Sequence, residues 1–95
     1  MNLPISWQER AVDQFEDLPP QAREAVMRAI EALNERGLAA SDGVKLIVHD
    51  ELGELFRLKV REERGGRVDH RVFFDIVDGE LRILGVYHRD EAYEG

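Results

Sequence analysis

Apolar residues recur every three or four positions in two stretches of the first half of the chain, which is the spacing of amphipathic helices. The first stretch follows the segment PISW, an edge-strand candidate, and Ser6 with Glu9 fits a capping box that starts a helix at Trp7. The second stretch, QAREAVMRAIEALNER, follows two prolines and precedes Gly37, a residue type that commonly ends helices. The short connection between the two stretches predicts an antiparallel helical hairpin.

In the second half of the chain the apolar period shortens to two, which is typical of strands with one buried face. The segment ELFRLKVRE carries apolar residues at every second position and three cations between them, Arg57, Lys59 and Arg61. DHRVFFDIV alternates in the same way, the turn DGE connects it to LRILGVYH, and VKLIV is compatible with extended chain. Helices followed by tightly connected strands indicate an α+β fold of topology βααβββ, with an N-terminal strand and a helical hairpin packed on a small antiparallel sheet. We expect one domain spanning residues 1–95.

The composition narrows the possible functions. The 95 residues include no cysteine, which excludes disulfides, thiolate metal sites and a cysteine nucleophile. No apolar run approaches the ~20 residues of a membrane span, and the N-terminal residues lack the pattern of a signal peptide. We therefore expect a cytoplasmic protein with no membrane partner. The three histidines are spaced too irregularly for a metal site, so we expect neither a metal nor another cofactor.

Charge is distributed unevenly along the chain. The net charge of −7 argues against a nucleic-acid-binding surface over the whole protein. Between Arg57 and Arg71, however, the chain has six basic side chains and only three acidic ones. The cations of the ELFRLKVRE strand, which Arg71 joins from the neighbouring strand, are either a solvated face or an anion-binding platform.

Arg89 and Tyr93 follow the third strand of the predicted meander and leave the sheet at the end from which they can reach these cations. A cluster of Arg, Lys and Tyr side chains with no cysteine or serine nucleophile suits the cleavage of RNA by its own 2′-hydroxyl group. In that reaction the protein orients the nucleophile, moves two protons and stabilises charge on the phosphate. Guanidinium groups suit the last task because they bind phosphate oxygens bidentately.

The ordered segments FRLKV, HRVFF and HRDEAY, preceded by the helical hairpin, resemble the RelE/ParE superfamily of bacterial toxins over nearly the whole chain. RelE-type toxins are ribosome-dependent mRNA endonucleases that leave a 2′,3′-cyclic phosphate. The resemblance implies a metal-independent enzyme in which Lys59 is the general base and Arg71 stabilises the phosphate. Arg89 would serve the leaving 5′-oxygen or the phosphate, and Tyr93 would stack on or orient the target nucleotide.

Further RNA contacts are assigned by the same resemblance and by local charge to Arg57, Arg61, Arg64, Arg67 and His88. His88 has two interpretations besides RNA binding. It is either a general acid, since histidine titrates near neutrality, or a solvated residue at the end of a strand.

The superfamily leaves two other functions open. ParE-type members inhibit DNA gyrase by binding and cut no nucleic acid, and a degenerate member would only bind an antitoxin. The presence of basic and tyrosine residues at all the expected positions favours the nuclease, because ParE-type members generally lack the full set. The resemblance also implies three partners, a cognate antitoxin, the ribosome and mRNA, and a chain that is a monomer or part of a toxin–antitoxin hetero-oligomer.

Overall fold

Two helices and five strands make up the part of the chain that the structure, a computed structural model, describes: residues 1–39, 43–63 and 66–88. In chain order the elements are β1 (Ile5–Trp7), α1 (Glu9–Glu16), α2 (Pro20–Arg36), β2 (Val44–His49), β3 (Gly53–Val60), β4 (His70–Val77) and β5 (Glu80–His88). Helices precede the run of strands and pack on one face of the sheet, so the predicted α+β class is confirmed. Within the described ranges, no helix is long and apolar enough to cross a membrane.

The strands form one mixed sheet in the order β1-β5-β4-β3-β2. Strands β2 to β5 are an antiparallel meander, and β1 lies parallel beside β5 with Ile5 opposite Leu81. The expected N-terminal edge strand is therefore present, whereas the predicted order βααβββ omitted β2. That strand exposes Leu46 and Val48 on one side while Ile47 packs on the other, so its apolar run has no alternation to identify it.

Helix α1 begins two residues later than the sequence predicted. The backbone of Ser6 is extended and pairs with Arg82 in β5, and its hydroxyl donates a 2.6 Å hydrogen bond to the Glu80 carboxylate. Gln8 occupies the N-cap position without a side-chain hydrogen bond, and the helix starts at Glu9. The predicted capping box was therefore wrong, because Ser6, the residue that would have capped the helix, pairs with β5 instead.

Helix α2 has the boundaries that its prolines and glycine predicted. Pro20 is its first residue, where a missing N–H costs little. Gly37 ends the helix with φ at 86°, a left-handed value that favours glycine, and its N–H donates to the Leu33 carbonyl at 2.8 Å. The two helices are separated by only three residues, 17–19, which is the short connection that the predicted helical hairpin requires.

Apolar side chains pack on both faces of the sheet, but the helices cover only one. The larger core lies between helices and sheet, and its fully buried members include Val26, Ile30, Val72, Phe74, Leu81 and Ile83. A smaller cluster lies on the other face, which we call the open face. It centres on Leu55 and Phe73, which are both buried, with Leu52, Leu84 and Tyr87 packed around them. Full burial of a phenylalanine side chain contributes about 1.5–3 kcal/mol, so this small cluster stabilises the open face appreciably.

The hairpin between β4 and β5 turns at Asp78 and Gly79. Both residues have positive φ, 52° and 76°, which is the geometry of the two-residue turn that the DGE motif predicted. Val77 and Glu80 are the pair that closes the turn. The register of β5 is therefore fixed from this end of the strand.

A β-bulge interrupts the pairing of these two strands further along. The register shifts by one residue beside Phe73, and Leu84 is the extra residue of β5. A regular hairpin would place Tyr87 opposite His70, on the helix-covered face. The bulge instead places Tyr87 opposite Arg71, on the open face. This one inserted residue decides which side chains from the end of β5 reach the open face.

Candidate nucleic-acid interface

Four cations lie side by side on the open face. The register places Lys59 of β3 directly opposite Arg71 of β4, and Lys45 of β2 directly opposite Arg57 of β3. Arg57 and Lys59 share one face because they are two residues apart on the strand. Directly opposed residues have Cβ atoms ~4.5–5.5 Å apart, so the four side chains form a compact group. We call these four residues the basic platform.

The structure thus brings together three site residues that the sequence predicted and adds a fourth. Lys45 was missed because its position opposite Arg57 depends on the register between β2 and β3, and no turn motif in the sequence predicts that register. One phosphate group could contact several of these side chains at once, because guanidinium groups bind phosphate oxygens bidentately. Arg57, Lys59 and Arg71 are half-buried, where attraction to an anion is stronger than in bulk water. The arrangement favours an anion-binding platform over a merely solvated face.

A glycine lets the chain pack closely beside Lys59. Gly43 has φ at 79°, and its carbonyl accepts a 3.2 Å hydrogen bond from the Lys59 N–H. A Cβ atom at Gly43 would lie 2.9 Å from the Cβ of Lys59, closer than real Cβ contacts allow. The residue before β2 therefore has to be small for the stem of Lys59 to keep its position on the platform.

Tyr87 forms an aromatic wall at the edge of the platform. It is the cross-strand partner of Arg71, and its ring centroid lies 5.1 Å from that of Phe73. The ring also lies over Gly85, where an added Cβ would collide with it. Simple alternation along LRILGVYH assigns Tyr87 to the helix-covered face, so sequence reasoning missed it. The glycine in the middle of the strand was the available signal for a bulge.

Arg10 of α1 reaches over the open face to this tyrosine. Its Nη1 donates to the Tyr87 hydroxyl at 3.4 Å and lies 3.4 Å from a carboxylate oxygen of Glu51. The hydrogen bond to Tyr87 is the main cause that raises the pKa of Arg10, and the Glu51 carboxylate adds to the effect. Arg10 was not among the predicted site residues, since a single arginine in an amphipathic helix has no distinguishing pattern.

His49 holds the turn between β2 and β3 against the aromatic wall. Its Nδ1 accepts hydrogen bonds from the backbone N–H groups of Glu51 and Leu52 at 3.1 and 3.2 Å. The neutral ring therefore carries its proton on Nε2. The ring is buried and meets Phe73 edge-on, with centroids 5.3 Å apart. His49 accordingly has a positioning role for the loop that carries Glu51.

Two of the predicted RNA-binding residues contact the backbone or side chains of their own loop. Arg61 lies just beyond the end of β3, and its Nε donates a 2.8 Å hydrogen bond to the Gly66 carbonyl. Arg67 is exposed and pairs with Asp69 at 3.5 Å. Neither side chain belongs to the four-residue platform in this conformation. Both contacts are at the surface, so they are weak enough for RNA phosphates to replace them.

His88 lies on the helix-covered face, away from the platform. It is the cross-strand partner of His70, and the two rings meet edge-on with centroids 5.4 Å apart. His70 is 6% exposed. The remaining predicted residues, Arg64, Arg89 and Tyr93, lie outside the described residues.

At the far end of the open face, Arg82 and Asp75 form a bidentate ion pair. The guanidinium Nε and Nη2 donate to the two carboxylate oxygens at 2.7 and 2.5 Å. This pairing raises the pKa of Arg82. Its positive charge is matched locally by the Asp75 carboxylate.

The chemistry available at the platform is anion binding and proton transfer. Among the described residues, no group of three or more His, Asp or Glu side chains is placed to hold a metal ion. A lysine directly opposite an arginine combines a nitrogen that can take a proton with a guanidinium that binds phosphate oxygens. Aromatic side chains at the edge supply a surface that nucleobases commonly use.

Comparison with known proteins identifies the fold. No protein-family model and no curated protein matches the sequence. Solved structures do match the chain. One is the toxin–antitoxin complex RelBE2 from Mycobacterium tuberculosis, with a TM-score of 0.67 and 24% sequence identity; the match covers 94% of this chain and 100% of that chain. The archaeal RelE–RelB complex from Pyrococcus horikoshii has a TM-score of 0.67 and 18% identity over 97% and 100% of the two chains. A mutant of the Escherichia coli toxin RelE in the free state has a TM-score of 0.58 and 18% identity over 99% and 90%. The chain therefore has the fold of the RelE toxins.

Proposed function

We propose that this protein is the toxin of a type II toxin–antitoxin pair and that it cuts mRNA on the ribosome. The observation that carries the proposal is the basic platform, in which Lys59 lies directly opposite Arg71 on an open sheet face. The likeness to RelE structures solved with RelB antitoxins supports the toxin role and a cognate antitoxin as partner. The sequence resemblance supports mRNA and the ribosome as the targets and the cytoplasm as the location.

The platform residues suit cleavage by the 2′-hydroxyl of the RNA. Lys59, in its neutral form, accepts the proton of that hydroxyl, and the 2′-oxygen then bonds to the adjacent phosphorus. The bond from phosphorus to the 5′-oxygen breaks, that oxygen takes up a proton, and a 2′,3′-cyclic phosphate remains. Arg71 binds the phosphate oxygens on which negative charge grows. Arg89 and Tyr93, which lie outside the described residues, are assigned to the leaving group and the nucleotide by the resemblance alone.

Two further cations of the platform position the RNA backbone. Lys45 and Arg57 are paired across β2 and β3, beside the pair that carries the chemistry. They bind neighbouring phosphates and so set the register of the scissile one. In a protein of net charge −7, docking depends on this one face, because the rest of the surface repels RNA.

The test is induced expression of the chain in bacteria, followed by primer extension on a reporter mRNA. We expect growth arrest and codon-phased cuts in translated mRNA. Arg71→Ala should reduce cutting about 100- to 1,000-fold, the usual effect of removing one transition-state donor. Arg28→Ala removes the same charge from an exposed position in the groove between the two helices and should leave cutting unchanged.

Growth arrest without mRNA cuts would overturn the nuclease proposal, and an induced DNA-damage response would indicate gyrase inhibition. Equal cutting by Arg71→Ala and Arg28→Ala would exclude the platform as the catalytic site. Co-expression of the adjacent reading frame tests the partner, since a cognate antitoxin should restore growth and co-purify with the chain.

A further inference from the structure

A depression of about 390 Å³ lies on the open face of the sheet. It is bounded by the start of α1, the turn between β2 and β3, and strand β5. Leu52 and Leu84 give it apolar surface, and Gln8, Glu9, Arg10 and Arg82 line the rest. Its volume falls in the range of roughly 300–1,000 Å³ that is typical of small-molecule clefts. The mechanism proposed above makes no use of this depression.

The depression is connected to the platform through two side chains. Arg10 is in its wall and donates a hydrogen bond to Tyr87, and Tyr87 lies directly opposite Arg71. Leu84, which is the bulged residue of β5, belongs to the same open-face cluster as Tyr87. A ligand extending from the platform past the tyrosine ring would therefore enter the depression.

The charges in the depression are balanced. Arg82 is held by Asp75 and Arg10 lies beside Glu51, while Glu9 contributes a further carboxylate to the lining. This balance is unfavourable for a phosphate group. It suits a neutral, flat ring with polar edges, for which leucine side chains supply apolar contact and the Gln8 amide supplies both a donor and an acceptor.

We propose that this depression is a nucleobase subsite for single-stranded RNA whose phosphates lie on the basic platform. The base packs on Leu52 and Leu84, and Arg10, held in place by Tyr87, hydrogen-bonds to its edge. The inference rests on the proposed function, since it takes RNA as the ligand, and it assigns base selection to residues that do not take part in the cleavage step.

The test compares two ligands of equal charge by fluorescence anisotropy at low salt. One is a 2′-O-methyl hexaribonucleotide, which cannot be cut, and the other is an abasic sugar–phosphate hexamer. The wild-type protein should bind the base-bearing hexamer about tenfold more tightly, the usual effect of base contacts. Leu84→Ala changes no charge and should remove most of that advantage, whereas Leu84→Met, which keeps the apolar surface, should preserve it.

A second pair of variants separates local contact from net charge. Arg10→Gln and Arg28→Gln each remove one positive charge from an exposed helical position. Arg28→Gln should leave both affinities almost unchanged, whereas Arg10→Gln should reduce the preference for the base-bearing hexamer. Thermal unfolding of each variant shows that it is folded at the temperature of the assay.

Equal affinity of the wild-type protein for the two hexamers would overturn the subsite, and so would an unchanged preference in both Leu84→Ala and Arg10→Gln. Neither result would contradict the proposed nuclease activity, because the primer-extension experiment measures that activity independently. Conversely, a protein that prefers the base-bearing hexamer but cuts no mRNA would retain the subsite and lose the proposed function.

Discussion

At the scale of single residues, the open face depends on where side chains are missing as much as on where they are present. Gly85 leaves room for the Tyr87 ring, and Gly43 leaves room for the stem of Lys59. Each glycine lies beside a proposed functional side chain and is two residues or more distant from it in sequence. Small residues at these positions therefore shape the site without providing any chemistry.

A double-mutant cycle between Gly85 and Tyr87 tests this interpretation. Gly85→Ala in the wild-type background should destabilise the protein by about 1–3 kcal/mol, because the new Cβ collides with the ring. In a Tyr87→Ala background the same change should cost much less, since the obstructing ring is gone. Urea denaturation of the four proteins gives the coupling energy. Equal costs in both backgrounds would mean that the ring does not lie over Gly85.

Some residues of the site could be predicted from the sequence. Arg57, Lys59 and Arg71 were found because alternation assigns Arg57 and Lys59 to one face of β3 and Arg71 lies on the neighbouring strand. Arg10 and Lys45 were missed, because their proximity to the others depends on tertiary packing and on the register of β2. Local pattern carries no information on either.

At the scale of elements, strand β5 determines which of its side chains lie on each face of the sheet. Leu84 shifts the register by one residue, so Val86 enters the main core and Tyr87 reaches the open face. His88 is placed on the helix-covered side by the same shift. Period-two reasoning fails beyond a bulge for a physical reason: an unpaired residue reverses the alternation of everything that follows it.

Two single-residue deletions test the bulge. Removing either Leu84 or Gly85 eliminates the extra residue and shortens β5 equally. Deletion of Leu84 leaves the glycine beneath the Tyr87 ring, whereas deletion of Gly85 puts a leucine there. We expect the first variant to be more stable than the second by about 1–3 kcal/mol, because only the second forces a side chain against the ring.

The measurement is the free energy of unfolding in urea, with the wild-type protein alongside. If the Gly85 deletion were as stable as the Leu84 deletion, the space above residue 85 would not be limiting. Loss of the folded state in both variants would show instead that the strand needs its bulge to match the twist of the sheet.

The elements differ in how well the sequence predicted them, and the differences have physical causes. The boundaries of α2 and the turn at Asp78 and Gly79 were correct because proline and glycine impose backbone geometry locally. The start of α1 was wrong because Ser6 hydrogen-bonds to β5 across a sequence separation of 74 residues. Long-range pairing outweighed a local capping motif there.

At the scale of the whole molecule, the protein combines an acidic surface with one concentrated positive face. The net charge is −7, yet Lys45, Arg57, Lys59 and Arg71 lie together on three neighbouring strands. Such a local concentration of positive charge orients an approaching polyanion. The strength of RNA binding should consequently vary with salt mainly through the platform residues.

This expectation is quantitative. Single-stranded RNA releases counterions with a slope of log affinity against log salt of about −0.7 per phosphate contact, so four platform contacts predict a slope near −3. Arg57→Gln should reduce the magnitude of the slope by about 0.7. Arg36→Gln, at the end of α2, removes an equal charge away from the platform and should change the slope little.

Anisotropy titrations of an uncuttable RNA oligomer at several salt concentrations provide the slopes. A slope near zero for the wild-type protein would contradict phosphate binding by the platform. Equal slopes for Arg57→Gln and Arg36→Gln would show that the attraction is diffuse and does not arise from these four side chains.

The pairing of β1 with β5 has a consequence for the order in which this protein folds during its synthesis. Ile5 and Leu81 lie opposite each other, and α1 packs mainly on β5, so the first strand and helix find their partner only when residues 80–88 have been made. A growing chain therefore emerges with β1 and α1 undocked and with a sheet that lacks the strand joining both ends of the fold. The fold therefore closes only after β5 has been synthesised.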